Sequence, residues 1–282
     1  MEIKLTAEEG MVLLEAAAEK VAAFQVAFIR FLGDNEEDDA ELAGSGTLVV
    51  VSEGRHGILT ADHVIKNLPR KGNIGFLLEM SQNPIVARFV VDAEHLELVT
   101  VAAASCTSAG PDLGLVLLPE STVRRIGAFN KVFYNLSKRQ KMMLESPPAI
   151  NRGFWALSGV IHQWTTDLVP ERRFTRVKGF RGFCGAGVIT PPVTRGDFDY
   201  LTFETRFGES YGGPQNYEGV SGGGIWHVMI NVRDDKADVA DCLLAGVVFY
   251  QESVTGGIDL SCHGPRSVYE HAMVPLKGSG GV

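Results

Sequence analysis

The sequence predicts an all-β protein, two antiparallel halves built from short strands, with a helix before them and a short one after. Three observations lead to that class: many short runs rich in Val, Ile and Phe, 32 glycines and 12 prolines to punctuate them, and a change to strand periodicity after Gly44. At 282 residues, 45% apolar and 21% charged, the chain is long enough to bury one large core or two smaller ones.

Taken in order, Met11, Leu14, Ala17, Val21, Phe24, Phe28 and Leu32 recur at three and four positions, which predicts an amphipathic helix over 7–32. Thr6 with Glu9 forms a capping-box pattern at its start, and Glu8, Glu15, Lys20 and Arg30 interrupt it too often for a membrane span. An apolar face carrying two phenylalanines has to be covered, and it is expected to fold back on the same chain across the acidic linker Asn35 to Asp39, the helix and linker occupying 1–41. In 42–119, Thr47–Val51, His56–Thr60, Ile74–Leu78, Ile85–Val91, Glu97–Val101 and Leu113–Leu118 read as six strands of one closed antiparallel barrel. A connection follows at 120–130. The second half, 131–274, reads as strands at Val132–Tyr134, Phe154–Ile161, Gly182–Ile189, Tyr200–Thr205, Gly224–Ile230, Leu243–Tyr250 and Gly257–Cys262, closed by a short helix in Pro265–Ala272 and a tail at 275–282.

A net charge of −8 and a pI near 5.4 leave no broad basic face, so nucleic acid is not an expected partner. The N-terminus lacks the pattern of a secretory signal, and a cytoplasmic location is expected. Cys106, Cys184, Cys242 and Cys262 have neither Cys-x-x-Cys nor zinc-site spacing; buried free thiols are expected, with no metal and no cofactor.

The most informative stretch is Gly219-Val220-Ser221-Gly222-Gly223-Gly224, ahead of the apolar run Ile225 to Ile230. Glycine is costly to order, so such a cluster marks either a tight turn into a buried strand or a hydroxyl whose neighbouring amides must stay bare. The second reading needs a histidine and an acid. His63 follows the run Gly57-Ile58-Leu59-Thr60-Ala61-Asp62, and Asp112 heads Leu113-Gly114-Leu115-Val116-Leu117-Leu118. Each alone also reads as structural, a core histidine or a strand-entry cap.

Together, Gly44-Ser45-Gly46-Thr47-Leu48, Leu59-Thr60-Ala61-Asp62-His63-Val64, Asp112-Leu113-Gly114-Leu115 and Gly219-Val220-Ser221-Gly222-Gly223 resemble the trypsin-like (chymotrypsin-fold) serine peptidases in their bacterial, intracellular form. The residues come in the order His, Asp, Ser, with gaps of roughly 50 and 110 residues, and Leu244 to Tyr250 resembles the strand that walls the specificity pocket. The resemblance implies two six-stranded antiparallel barrels with the site between them. It implies a serine endopeptidase in which Ser221 is the nucleophile, His63 the base and Asp112 its orienting acid, with the amides of Gly219 and Ser221 as oxyanion hole. Gln215 and Asn216 would then lie near the base of the pocket, and Tyr250 and Gln251 on its wall. No acid stands at Gln215, so a preference for Lys or Arg is not expected.

Two positions depart from the pattern. Val220 stands where secreted members carry the acid that receives a newly released N-terminal amine, which leaves open what orders the oxyanion loop. Asp62 beside His63 raises the histidine's pKa if its carboxylate approaches the ring. His227 reads as structural; His263 reads as a turn residue or, alternatively, as a pocket residue. The expected partner is a protein or peptide substrate, with an activating protein as a further candidate and no membrane. The alternative reading is a catalytically silent, or partner-activated, trypsin-like scaffold that binds a protein through its cleft or its N-terminal helix.

Overall fold

Thr6 caps the first helix as the sequence predicts: Glu9 N donates to Thr6 Oγ1 at 3.2 Å and Thr6 N to Glu9 Oε2 at 2.8 Å. The helix is shorter than its periodicity suggests. The computed structural model describes residues 6–32, 40–78, 89–168, 177–207, 213–233 and 236–276. In it α1 spans Ala7–Ala22, and the next run, Gln25–Phe31, is a strand, β1. β1 is central, paired on both sides and buried on both faces, so it reads as one continuous apolar run that periodicity cannot separate from a buried helix. Val26 and Phe28 face one core cluster, Ala27 and Ile29 another.

The first half continues with β2 (Ala40–Ser52), β3 (Arg55–Thr60), the short helix α2 (Asp62–Lys66), β4 (Asn73–Leu77), β5 (Phe89–Asp92), β6 (Glu97–Ala102) and β7 (Leu113–Leu117). α3 (Glu120–Gly127) forms the connection, then come β8 (Tyr134–Asn135) and α4 (Leu136–Glu145). The second half holds β9 (Phe154–Val160), β10 (Thr166–Leu168), β11 (Val177–Gly179), β12 (Gly182–Ile189), β13 (Val193–Arg195), β14 (Phe198–Arg206), β15 (Gly224–Arg233), β16 (Lys236–Val254) and β17 (Gly257–His263), closed by α5 (Pro265–Tyr269). The predicted linker Asn35 to Asp39, the first part of the predicted strand at Ile85, and most of the predicted tail lie outside the described residues.

The protein is thus mostly β, with two large sheets that are antiparallel apart from the brief β8 pairing to β2. Strand order in the first is β5-β4-β1-β2-β3-β7-β6, and among the described residues its ends, β5 and β6, do not pair. The expected closed six-stranded barrel is therefore here an open path of seven strands, because β1 was added and nothing described seals the edges. In the second sheet the order β12-β9-β15-β16-β17-β14 returns on itself where β12 also pairs with β14, Val188 with Glu204 and Ile189 with Phe203.

One apolar cluster runs through both halves, joining Val49, Leu59 and Leu113 to Trp226, Val228 and Leu244. At its centre Phe24, Tyr134 and Trp226 pack with ring centroids 5.5–5.6 Å apart. The Tyr134 and Tyr269 hydroxyls meet at 3.2 Å and complete the polar needs of Leu244: its amide donates to Tyr134 and its carbonyl accepts from Tyr269. α1 docks on the second half through Leu13, Ala17 and Val21, against β9, β12 and β16, with Lys20 Nζ donating to the Val239 carbonyl. The helix therefore packs on its own chain, though Met11, placed on the apolar face by periodicity, is exposed. No described helix is long and apolar enough to cross a membrane.

Candidate active site

β3 ends at Thr60, and the chain turns at once into α2, whose second residue is His63. Asp112 stands immediately before β7, the strand hydrogen-bonded to β3, so the two side chains arrive at neighbouring strand ends. Both carboxylate oxygens of Asp112 serve His63. Oδ2 lies 2.5 Å from Nδ1, and Oδ1 accepts from the His63 backbone amide at 3.0 Å. This two-point hold fixes the ring's direction and places its proton on Nδ1, leaving Nε2 with a free lone pair. The Asp112 side chain is 4% exposed and that of His63 31%, a shielded acid behind a base open to solvent.

Asp62 does not approach the ring. It lies on α2 rather than on a strand, and its carboxylate turns away to accept from Thr100 Oγ1 at 2.6 Å, Ala104 N at 2.8 Å and Lys66 Nζ at 2.6 Å. Burial pushes its pKa up, but these donors outweigh burial and hold it below the usual carboxylate value.

His263 is the participant that sequence reasoning placed elsewhere. At the end of β17 it is fully buried, and its Nε2 accepts from the Asp112 backbone amide at 3.0 Å. Phe198, Tyr200 and Phe249 surround it at centroid distances of 5.0–5.6 Å. It lines neither the cleft nor a surface turn. Burial drives its pKa down to about 4, only partly countered by nearby Asp112, so the ring is neutral and accepts at Nε2. His227 is structural: its Nε2 meets the Arg152 carbonyl and its ring stacks on Trp155 at 4.3 Å.

The glycines around Ser221 have specific tasks. Gly219 and Gly222 have φ of +92° and +86°, where a side chain is strained. A Cβ on Gly222 would also run into the Ser45 carbonyl and the Thr60 hydroxyl. The backbone between them is anchored peptide by peptide. Glu218 O accepts from His162 N at 2.8 Å, Val220 N donates to Tyr217 O at 3.0 Å, Val220 O accepts from Gly223 N at 2.7 Å, and Ser221 O accepts from Ser45 N at 2.7 Å. In a planar trans peptide the N–H points opposite to its carbonyl. With Glu218 O and Val220 O turned into the protein, the N–H groups of Gly219 and Ser221 point the other way. Neither has a hydrogen-bond partner among the described residues, and both residues line the cleft.

That cleft, about 810 Å³, also takes in His63, Asp112, Tyr250 and Gln251. No hydrogen bond joins Ser221 Oγ to His63 among the described residues; in ligand-free enzymes such contacts are commonly long and tighten on substrate. Gln215 and Asn216 stand exposed, outside the cleft lining. Their amides donate to Gln163 Oε1 at 3.0 and 3.1 Å. Gln251 reaches across from β16, accepting from Tyr217 N at 2.9 Å and donating to Asn216 Oδ1 at 2.9 Å. Tyr217, Val248 and Leu260 give the cleft an apolar patch, beside which Glu218 also lines it, with Arg30, Glu41 and Lys66 elsewhere on its wall.

The four cysteines are free; Cys242 and Cys262 are buried as expected, whereas Cys106 is exposed and lines the cleft. Burial pushes the Cys242 thiol up to about 11 and the Cys184 thiol up to about 12, so neither is a nucleophile at neutral pH. Among the described residues no His, Cys, Asp and Glu cluster could hold a metal ion. Compared with known proteins, the chain matches no family model and no curated protein.

Proposed function

We propose that the chain is a serine endopeptidase of trypsin-like double-barrel design. The observation that carries this reading is the convergence on one cleft of an Asp112-held His63, Ser221, and two amides with no hydrogen-bond partner among the described residues. In the proposed reaction Ser221 Oγ bonds to the scissile carbonyl carbon while His63 Nε2 takes the hydroxyl proton. The carbonyl oxygen gains negative charge and receives hydrogen bonds from Gly219 N and Ser221 N, each such donor contributing roughly 3–4 kcal/mol in the transition state. His63 then passes its proton to the leaving nitrogen as the C–N bond breaks, leaving an acyl-serine. Water, deprotonated by the same imidazole, releases the acid and restores Ser221. Asp112 stays ionised throughout and stabilises the imidazolium.

Reaction with a fluorophosphonate probe tests the assignment: the wild type is expected to label at Ser221, and Ser221→Ala to fold with the same melting temperature and not label. A folded wild type that stays unlabelled at neutral pH, or a Ser221→Ala protein that still labels, would remove the reading.

A further inference from the structure

The absence of an acid before Ser221 raises the question of what holds the oxyanion loop open. We infer that Ser45 is the positioning residue that does so, an inference that rests on the peptidase reading for its consequence but not for its geometry. Ser45 lies on β2, in the other half of the molecule, and is fully buried. Three of its groups are committed to this seam. Its Oγ donates to the Gly219 carbonyl at 2.8 Å and accepts from Val160 N at 2.9 Å, which fixes the hydroxyl's direction from both sides. Its amide donates to the Ser221 carbonyl at 2.7 Å. Its own carbonyl accepts from Thr60 Oγ1 at 2.7 Å, just before the turn that delivers His63.

Among the described residues the hydroxyl is therefore the one side-chain group gripping the peptide between Gly219 and Val220. Gly219 has no Cβ to restrain it, and its φ of +92° lies where glycine has many alternatives. Without the Ser45 hydroxyl, the Gly219 carbonyl would lose its buried donor, and the peptide would gain by rotating toward another. The Gly219 N–H belongs to the preceding peptide, so such a rotation acts on it through the released backbone of Gly219, leaving the hydrogen bond from His162 N to Glu218 O as the hold on its direction among the described residues. Val220, 1% exposed among Leu157, Ile161 and Val248, adds packing at the same point, and its amide holds the same peptide from its other side by donating to Tyr217 O at 3.0 Å. A serine hydroxyl from the neighbouring half thus does the work for which an ion pair is used elsewhere, and it is present without any cleavage of the chain.

The test uses the full chain, Ser45→Ala, and Thr60→Val as a control that removes a hydrogen bond of the same seam without touching Gly219. Crystal structures of the free proteins read the loop directly: Ser45→Ala is expected to show the Gly219 carbonyl turned from its present direction, and Thr60→Val to keep it. Inactivation by diisopropyl fluorophosphate, whose phosphoryl oxygen needs the same amides, is expected to slow about 10- to 100-fold in Ser45→Ala, short of losing one oxyanion donor outright. Thr60→Val is expected to react at the wild-type rate. An unmoved loop in Ser45→Ala overturns the inference, and so does equal slowing in both variants, which would mark general loosening. A wild type that does not react at all would overturn the peptidase reading instead, with the crystal comparison still deciding the role of Ser45.

Discussion

The two arms of the site are held by different means. On the His63 arm, side chain meets side chain, one carboxylate spending both oxygens on one histidine. On the Ser221 arm the anchors from Gly219 to Gly223 are mostly backbone to backbone, joined by the Ser45 hydroxyl on the Gly219 carbonyl, while side chains hold the approach, Gln251 Oε1 accepting from Tyr217 N and Asn216 Oδ1 from Glu218 N. The first arrangement fixes a proton's position; the second fixes the direction of two N–H groups. A substitution on the first should therefore change chemistry with little change in fold, whereas the second is sensitive to anything that lets its peptides rotate.

The sharpest way to break the first arm is Asp112→Asn. The amide can keep one oxygen for the His63 backbone N–H, but its NH₂ then faces Nδ1 and forces the ring proton onto Nε2, where it blocks uptake of the serine proton. A fall of roughly 10⁴ in kcat is expected, about 5 kcal/mol, with the melting temperature within a few degrees of wild type. Single-turnover acylation alongside thermal melts checks both halves of this statement. A variant that unfolds rather than slows would mean that Asp112 is structural.

Behind Asp112, His263 sharpens the comparison, since it supports the first arm through a main-chain amide. Its pKa in the fold, about 4, lies below the ordinary 6.5. Between those values the unfolded chain binds a proton that the native state does not, so stability rises with pH across the window and is lost on acidification from about 6.5 to 4. The shift corresponds to about 3 kcal/mol. Asp112 and His271 are the charged and titratable neighbours acting on it, the first favouring protonation and the second opposing it. His263→Gln keeps an acceptor and removes the titration. Urea melts at neutral and acid pH should show a smaller acid loss in the variant by about that amount, and parallel losses in both proteins would contradict the assignment.

The residues proposed to act through their side chains could be named from the sequence. His63, Asp112 and Ser221 each sit at a strand end with a recognisable neighbourhood, and the structure places all three on one cleft. Roles set by backbone direction or distant pairing could not. His263 meets Asp112 across 151 residues, and nothing in Ser261-Cys262-His263-Gly264 announces that contact. Ser45 stood in a quoted motif, yet its hydroxyl's target is a carbonyl, which leaves no trace in side-chain identity. Among the elements, β1 was read as helix because a strand buried on both faces loses its alternation. α4 was missed because Leu136–Glu145 is mostly polar, although Asn135, whose Oδ1 accepts from Lys138 N at 2.9 Å, carried a capping signal.

The smallest effect expected lies farthest from the comparison and bounds it. α1 meets the second half through Leu13, Ala17 and Val21, spaced four apart on one face, and none of them lines the cleft. Leu13, 3% exposed, is the largest of the three and packs into the cluster shared by both halves. Leu13→Ala removes buried methyl groups near the start of a terminal helix, where the chain can relax, so the cost belongs at the low end for such changes, about 2 kcal/mol. The melting temperature should fall by several degrees. The rate of labelling by fluorophosphonate should stay at the wild-type value, because neither the Asp112 to His63 hold nor the Ser45 clamp touches α1. Truncating through residue 34 would not make the same test, since it removes β1 from the middle of the first sheet. Loss of labelling in Leu13→Ala without loss of stability would show that α1 communicates with the cleft, and an unchanged melting temperature would show that this helix face is not held as the structure places it.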